Sequence, residues 1–184
     1  MTSEDAARRL HARPADKRAA TDLARHAARI GLRTALAVTG DDHVANDVAQ
    51  ETAVRALRAV RDLRDPDAAD AWLHRIATTE TRIALRRTRR RRDREGPLDD
   101  LAETAPAAEV APSARAAQAA FDRLPDRQRI ALALRYVHDL TQHDIARALK
   151  CRPGTAASLL SRGRAALRAE FAAVTDAASL LETR

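Results

Sequence analysis

Between Asp93 and Ser113 the chain cannot continue a helix or a strand. The segment DREGPLDDLAETAPAAEVAPS carries Gly96, Pro97, Pro106 and Pro112, six acids against one base, and no helical repeat. Proline removes a backbone donor and fixes φ, so regular structure stops there. A single large core running the whole length is therefore not expected. The expectation is two small domains, residues 1–92 and 114–184, joined by an acidic, proline-containing flexible linker over 93–113. A flexible chain of about 21 residues spans roughly 25 Å. The flanks have the opposite charge: 20 Lys+Arg against 13 Asp+Glu before the segment, and 12 against 7 after it. Two basic domains on an acidic tether point to polyanions as partners.

Both flanks should be all-α. The chain holds 44 alanines but only two Phe, one Trp and one Tyr, a balance that favours helix and disfavours strands. Alanine fills little volume, so the cores should be thin. One cysteine makes neither an internal disulfide nor a zinc site, and no run approaches the roughly 18 apolar residues of a membrane span. The start, MTSEDAARRLHARPADKR, lacks the apolar stretch of a signal peptide. A soluble cytoplasmic protein without membrane insertion is expected, its first 16 or so residues flexible.

In the first block, a helix is expected from about Lys17 to Val38, with Leu23, Ala27, Ile30, Leu32 and Leu36 apolar. A second runs from about His43 to Leu63 with Val44, Val48, Leu57 and Val60 inward. Asp47, Gln50, Glu51, Arg55 and Arg58 then share an outward stripe. That stripe is either a solvated face with ion pairs such as Glu51 with Arg55, or a docking surface for a protein. A third helix, capped by Asp70, has Trp72, Leu73, Ile76, Ala77, Ile83 and Ala84 on its inner face. Its other face, Arg75, Thr78, Thr79, Arg82, Arg86, Arg89 and Arg90, continues the run RRTRRRR and has the form of a phosphate-tracking stripe. Trp72 fits a core anchor better than a base-stacking platform.

The last block reads as a helix-turn-helix. Pro125 suits a first helical position, and Ile130, Leu134 and Val137 form one face of the helix that follows. Thr141 with Asp144 approximates a capping box for the next, and Pro153 opens another after the turn Lys150-Cys151-Arg152. With Ala156, Leu160 and Leu167 inward, Arg152, Thr155, Ser158, Ser161 and Arg162 form a polar leading face suited to a major groove. Leu159 either points outward, where with Leu180 and Leu181 it would mark a protein contact, or rotates into the domain core. Cys151 reads as a small buried hydrophobe. The histidines at 26, 43, 138 and 143 have no metal-ligand spacing, and the pairs Asp41-Asp42 and Asp99-Asp100 have no nucleophile or base beside them. No cofactor, metal or catalytic residue is assigned.

Taken together, DVAQETAVRALRAV (Asp47 to Val60), AWLHRIATTETRIALRRTRRRR (Ala71 to Arg92), LPDRQRIALALRYVHDLTQHDIARAL and GTAASLLSRGRAALR resemble a bacterial sigma factor of the sigma-70 family, in its small two-domain extracytoplasmic-function group. The resemblance covers about residues 17–92 and 118–170. It implies that Asp47, Gln50 and Glu51 meet the β′ clamp helices of core RNA polymerase. Trp72 and the Arg75-to-Arg90 face would meet the promoter −10 element. The second domain would meet the −35 element and the β flap, and the linker would thread the channel that RNA later occupies. An anti-sigma protein is a further implied partner, and the implied place of action is the bacterial nucleoid. The chain departs from the family pattern in four places: Ala53 and Leu57 where aromatics are frequent; an acidic loop, Asp65 to Asp70, without an aromatic; Thr78-Thr79-Glu80-Thr81-Arg82-Ile83 before the basic run; and Ala157 and Leu159 where bases are usual. These departures leave a second reading open, a sigma-like adaptor acting mainly through protein contacts.

Overall fold

The computed structural model describes residues 1–95 and 112–182, and among them regular structure is helical. The first helix, α1 (Ser3–Ala12), lies where a flexible start is expected. Thr2 and Asp5 form a reciprocal cap, Asp5 N donating to Thr2 Oγ1 at 3.1 Å and Thr2 N to Asp5 Oδ2 at 3.4 Å. Ala6, Ala7 and Leu10 are then buried against the rest of the domain, which holds the helix in place. From its other side Arg8 reaches Asp67 at 2.6 Å and His11 Nε2 lies 2.9 Å from Leu63 O, so α1 fastens the acidic loop.

Asp16 caps α2 (Lys17–Thr39), which ends at Gly40 in the left-handed region at φ 65°, a conformation glycine adopts without a Cβ penalty. Asp41 caps α3 (Asp42–Ala59), and two 3₁₀ turns, Val60–Asp62 and Pro66–Ala68, lead to α4 (Ala69–Glu95). Asp70 therefore sits inside the first turn of α4 rather than capping it. Its carboxylate faces the His74 ring and the Ser3 hydroxyl, which hold it below the usual carboxylate range. Leu57 is 40% exposed, not inward, because the small residues Ala45, Ala49, Thr52 and Ala56 make the buried face of α3. There the backbones close up: a Cβ added at Gly31 would lie 2.7 Å from Thr52 Oγ1 and 3.1 Å from Ala49 Cα.

The C-terminal domain comprises α5 (Pro112–Asp122), α6 (Asp126–Tyr136), α7 (Gln142–Ala148) and α8 (Pro153–Glu182). Helix therefore extends into both ends of the expected linker, and residues 96–111 lie outside the described residues. Pro125 is the cap of α6 rather than its first residue. Thr141 caps α7 as expected, accepting from Asp144 N at 3.2 Å, and Pro153 opens α8. The core of Leu124, Ile130, Leu134, Ile145, Leu149 and Leu160 also takes in Val38 of α2 and Leu85 of α4. The two domains thus pack on one another instead of standing apart. Among the described residues no helix is long and apolar enough to cross a membrane.

Candidate nucleic-acid interface

Three exposed faces carry the expected binding residues. On α3, Asp47, Gln50 and Glu51 all point to solvent at helical spacing. Arg55 turns from Glu51 toward α4, where its Nε lies 3.0 Å from Glu80 Oε1. Burial pushes the Glu80 carboxyl up against the opposing pull of Arg55. Two acids of the stripe, Asp47 and Glu51, therefore line a small notch between α3 and α4 whose far wall includes Arg87.

On α4, Arg75, Thr79, Arg82, Arg86 and Arg90 follow one another at intervals of three and four, a single face of the helix. All are exposed except Arg82, which is half-buried. The Thr79 hydroxyl donates to Arg75 O at 2.9 Å, so its polar atom is partly committed within the helix. Two of the expected DNA contacts are corrected. Trp72 is 8% exposed inside the N-terminal core and acts as an anchor, and Thr78 is 1% exposed with its hydroxyl buried. Arg89 is exposed but spans to the other domain, its Nη2 donating to Asp126 Oδ1 at 3.3 Å. The helix runs past Arg92, and Arg87, Arg90, Arg91 and Arg94 line one groove of about 310 Å³. Arg94 is the addition to the sequence reading, because the helix continues a turn beyond the basic run. Guanidinium groups so spaced can follow successive phosphates, each contact releasing counterions and steepening the salt dependence.

At and just before the start of α8, Arg152, Thr155, Ser161 and Arg162 are exposed and Ser158 is half-buried. The turn before it is fixed by Lys150 in the left-handed region, φ 50°, and by Cys151 N donating to Ala146 O at 2.9 Å. Gln142 Nε2 donates to Pro153 O at 3.1 Å, tying the start of α7 to the start of α8. Cys151 is half-buried against the core, as expected. Of the two readings of Leu159 the structure has the inward one: it packs partly buried against the same core, because its place one residue before Leu160 lies at the edge of the buried face. The side chains of Leu180 and Leu181 lie outside the described residues.

Behind these faces the C-terminal domain has an apolar groove of about 680 Å³ between α5, α6 and α8, floored by Phe121, Leu132, Val137 and Leu167 and edged by Tyr136, Arg164 and Arg168. Sequence periodicity names only Val137 and Leu167 of its lining, and Ala37 of α2 also borders it. Among the described residues no three or more His, Cys, Asp and Glu side chains gather in a way that suits a metal ion.

Known proteins share this plan. Residues 18–92 match the family model of sigma-70 region 2, and residues 114–167 that of sigma-70, region 4. The extracytoplasmic-function (ECF) RNA polymerase sigma factor SigE of Mycolicibacterium smegmatis is 34% identical over 152 residues, which are 78% of this chain and 57% of the relative. ECF RNA polymerase sigma factor EcfG of Rhodopseudomonas palustris is 30% identical over 136 residues, 73% of this chain and 75% of the relative. In fold, the chain is similar to CnrH in its complex with the cytosolic domain of CnrY, with a TM-score of 0.63, 23% identity, and coverage of 93% of this chain and 97% of that one. The two matched regions, in this order and on these helices, make the chain a member of the sigma-70 family, in its extracytoplasmic-function group.

Proposed function

We propose that the chain is a dissociable sigma subunit that brings core RNA polymerase to promoters and acts by binding, with no reaction of its own. What supports this reading is the presence in one chain of two exposed polar surfaces, the arginine face of α4 and the leading face of α8, beside an exposed acidic face on α3. Asp47, Gln50 and Glu51 would meet the β′ clamp helices. Arg75, Thr79, Arg82, Arg86 and Arg90 would track the −10 region. Arg152, Thr155, Ser158, Ser161 and Arg162 would enter the −35 groove, where a helix fits the major groove by size. The apolar groove edged by Tyr136 suits an apolar helix of the β flap. An anti-sigma protein is a further proposed partner, and the site of action is promoter DNA in the bacterial nucleoid.

The adaptor reading rests on Ala157 and Leu159. The sigma reading is preferred because Arg152 and Arg162 still flank those positions with exposed bases. Run-off transcription with purified core polymerase and a promoter library tests it. Transcripts from a defined promoter set should appear only when the chain is added. Stable binding to core without any promoter-dependent transcript would instead establish the adaptor.

A further inference from the structure

Glu51 and Arg55 stand four residues apart on α3, acid before base, the spacing and order in which side chains on one helix pair most readily. They do not pair. The Arg55 guanidinium crosses to α4, its Nε 3.0 Å from Glu80 Oε1, and Glu51 is left facing solvent. Neither Asp47 nor Glu51 has an ion-pair partner among the described residues.

The cause is burial. Glu80 is 5% exposed and shares the lining of the notch between α3 and α4 with Val44, Val48, Ile83 and Ala84. A carboxylate held away from water loses far more without a cation than an exposed one does, so the guanidinium within reach of both goes to Glu80. Burial raises the Glu80 carboxyl, Arg55 opposes that rise, and the Glu51 charge adds to it. The hold on Arg55 is one of charge, since no donor is aligned on Oε1 for a hydrogen bond. With the Glu80 charge removed, Glu51, one turn back on the same helix, is the acid that Arg55 meets next.

We propose that Glu80 is a positioning residue for the docking face: it draws Arg55 off Glu51 and so keeps two uncompensated carboxylates, Asp47 and Glu51, presented to a basic helix face of core polymerase. The inference rests on the reading that this face of α3 meets polymerase. A pair between Glu51 and Arg55 would leave Asp47 as the free acid and halve the negative charge of the face. Charge complementarity acts first on the rate of encounter, so the number of free acids sets how fast polymerase is captured. The ion pair also ties α3 to α4. The two roles differ in what removal of both partners does: a tie stays lost, whereas Glu51 is free again.

Stopped-flow association of the full chain with purified core polymerase, at several salt concentrations, tests it. Glu80→Gln keeps the size of the side chain and removes its charge; it should slow association about threefold and flatten the fall of log rate with log salt. Glu80→Leu, which fills the notch with apolar volume, should do the same, and circular dichroism checks that each variant is folded. Glu80→Gln with Arg55→Gln should return rate and slope to wild-type values. A wild-type rate in both single variants overturns the inference. So does a double variant as slow as Glu80→Gln, because the pair is then a tie between helices and no more. Asp47→Lys with Glu51→Lys separates this from the docking reading: if that reversal slows association while the Glu80 variants do not, the positioning role alone falls, and if none of them slows it, the docking of α3 falls as well.

Discussion

Acid should open the seam between the domains, where His138 Nε2 lies 2.8 Å from Thr34 Oγ1, and the His138 ring sets by how much. In the closed chain burial, with the neighbouring His74 and the Arg33 guanidinium, pushes the His138 ring down to about 4. Arg29 of α2 adds to the same side, and Asp70 of α4 opposes it. Once the domains part, the ring returns to the ordinary value of about 6.5. A lowered histidine value means that the closed form excludes the proton. Closure is therefore at full strength above about pH 6.5 and weakens as pH falls toward 4, by about 1.4 kcal/mol per unit. Between pH 7 and pH 5 the sum is about 2 kcal/mol. The half-exposed ring is screened by solvent, which trims the loss to roughly 1 kcal/mol, about a fivefold change in the closed-to-open ratio. Energy transfer between dyes on the two domains, followed across that range, measures it. His138→Gln keeps an amide that can donate to Thr34 but cannot titrate, and its ratio should stay flat. If the wild type is equally flat, or the variant opens in parallel with it, the assignment to His138 is refuted.

Other substitutions read the remaining faces. Gly31→Ala places a methyl group 2.7 Å from Thr52 Oγ1 and should cost about 1–3 kcal/mol in urea unfolding, by forcing α2 and α3 apart. Arg86→Ala with Arg90→Ala should flatten the plot of log affinity for promoter duplex against log salt by about one unit for each phosphate no longer neutralised; an unchanged slope removes this face from the DNA interface. Arg89 is left out of that pair because its bond to Asp126 would mix the seam into the result. Asp47→Lys with Glu51→Lys should weaken core binding at least tenfold while circular dichroism is unchanged, and equal affinity means the acids only solvate α3.

The helices that carry function are legible in the sequence because each has its own local signals. Thr141 is a cap, and Leu23, Ile30, Ile130, Leu134 and Leu160 keep helical spacing, whereas the caps Asp16 and Asp41 emerge only in the structure. The exposed arginine face of α4 and the leading face of α8 follow from the same periodicity. What escapes is tertiary. Residues 3–12 look too polar to pack, since α1 hides two alanines and one leucine, although Thr2 and Asp5 already spell a cap. Thr34, His74 and His138 are separated by 40 residues or more and have no local sign of meeting. Thr78 is next to Thr79 in a polar run, and only tertiary packing distinguishes the covered hydroxyl from the exposed one.

The alanine-built packing of α2 on α3 also has a thermal consequence. The heat capacity taken up on unfolding follows the apolar area that becomes wet, and a methyl group contributes little of it. Ala19, Ala27, Ala35, Ala45, Ala49 and Ala56 are buried, and each wets less apolar area on unfolding than a leucine or isoleucine would. The N-terminal domain therefore has a broad, shallow stability curve, and the folded fraction that presents the acidic and arginine faces changes little over a wide range of growth temperature.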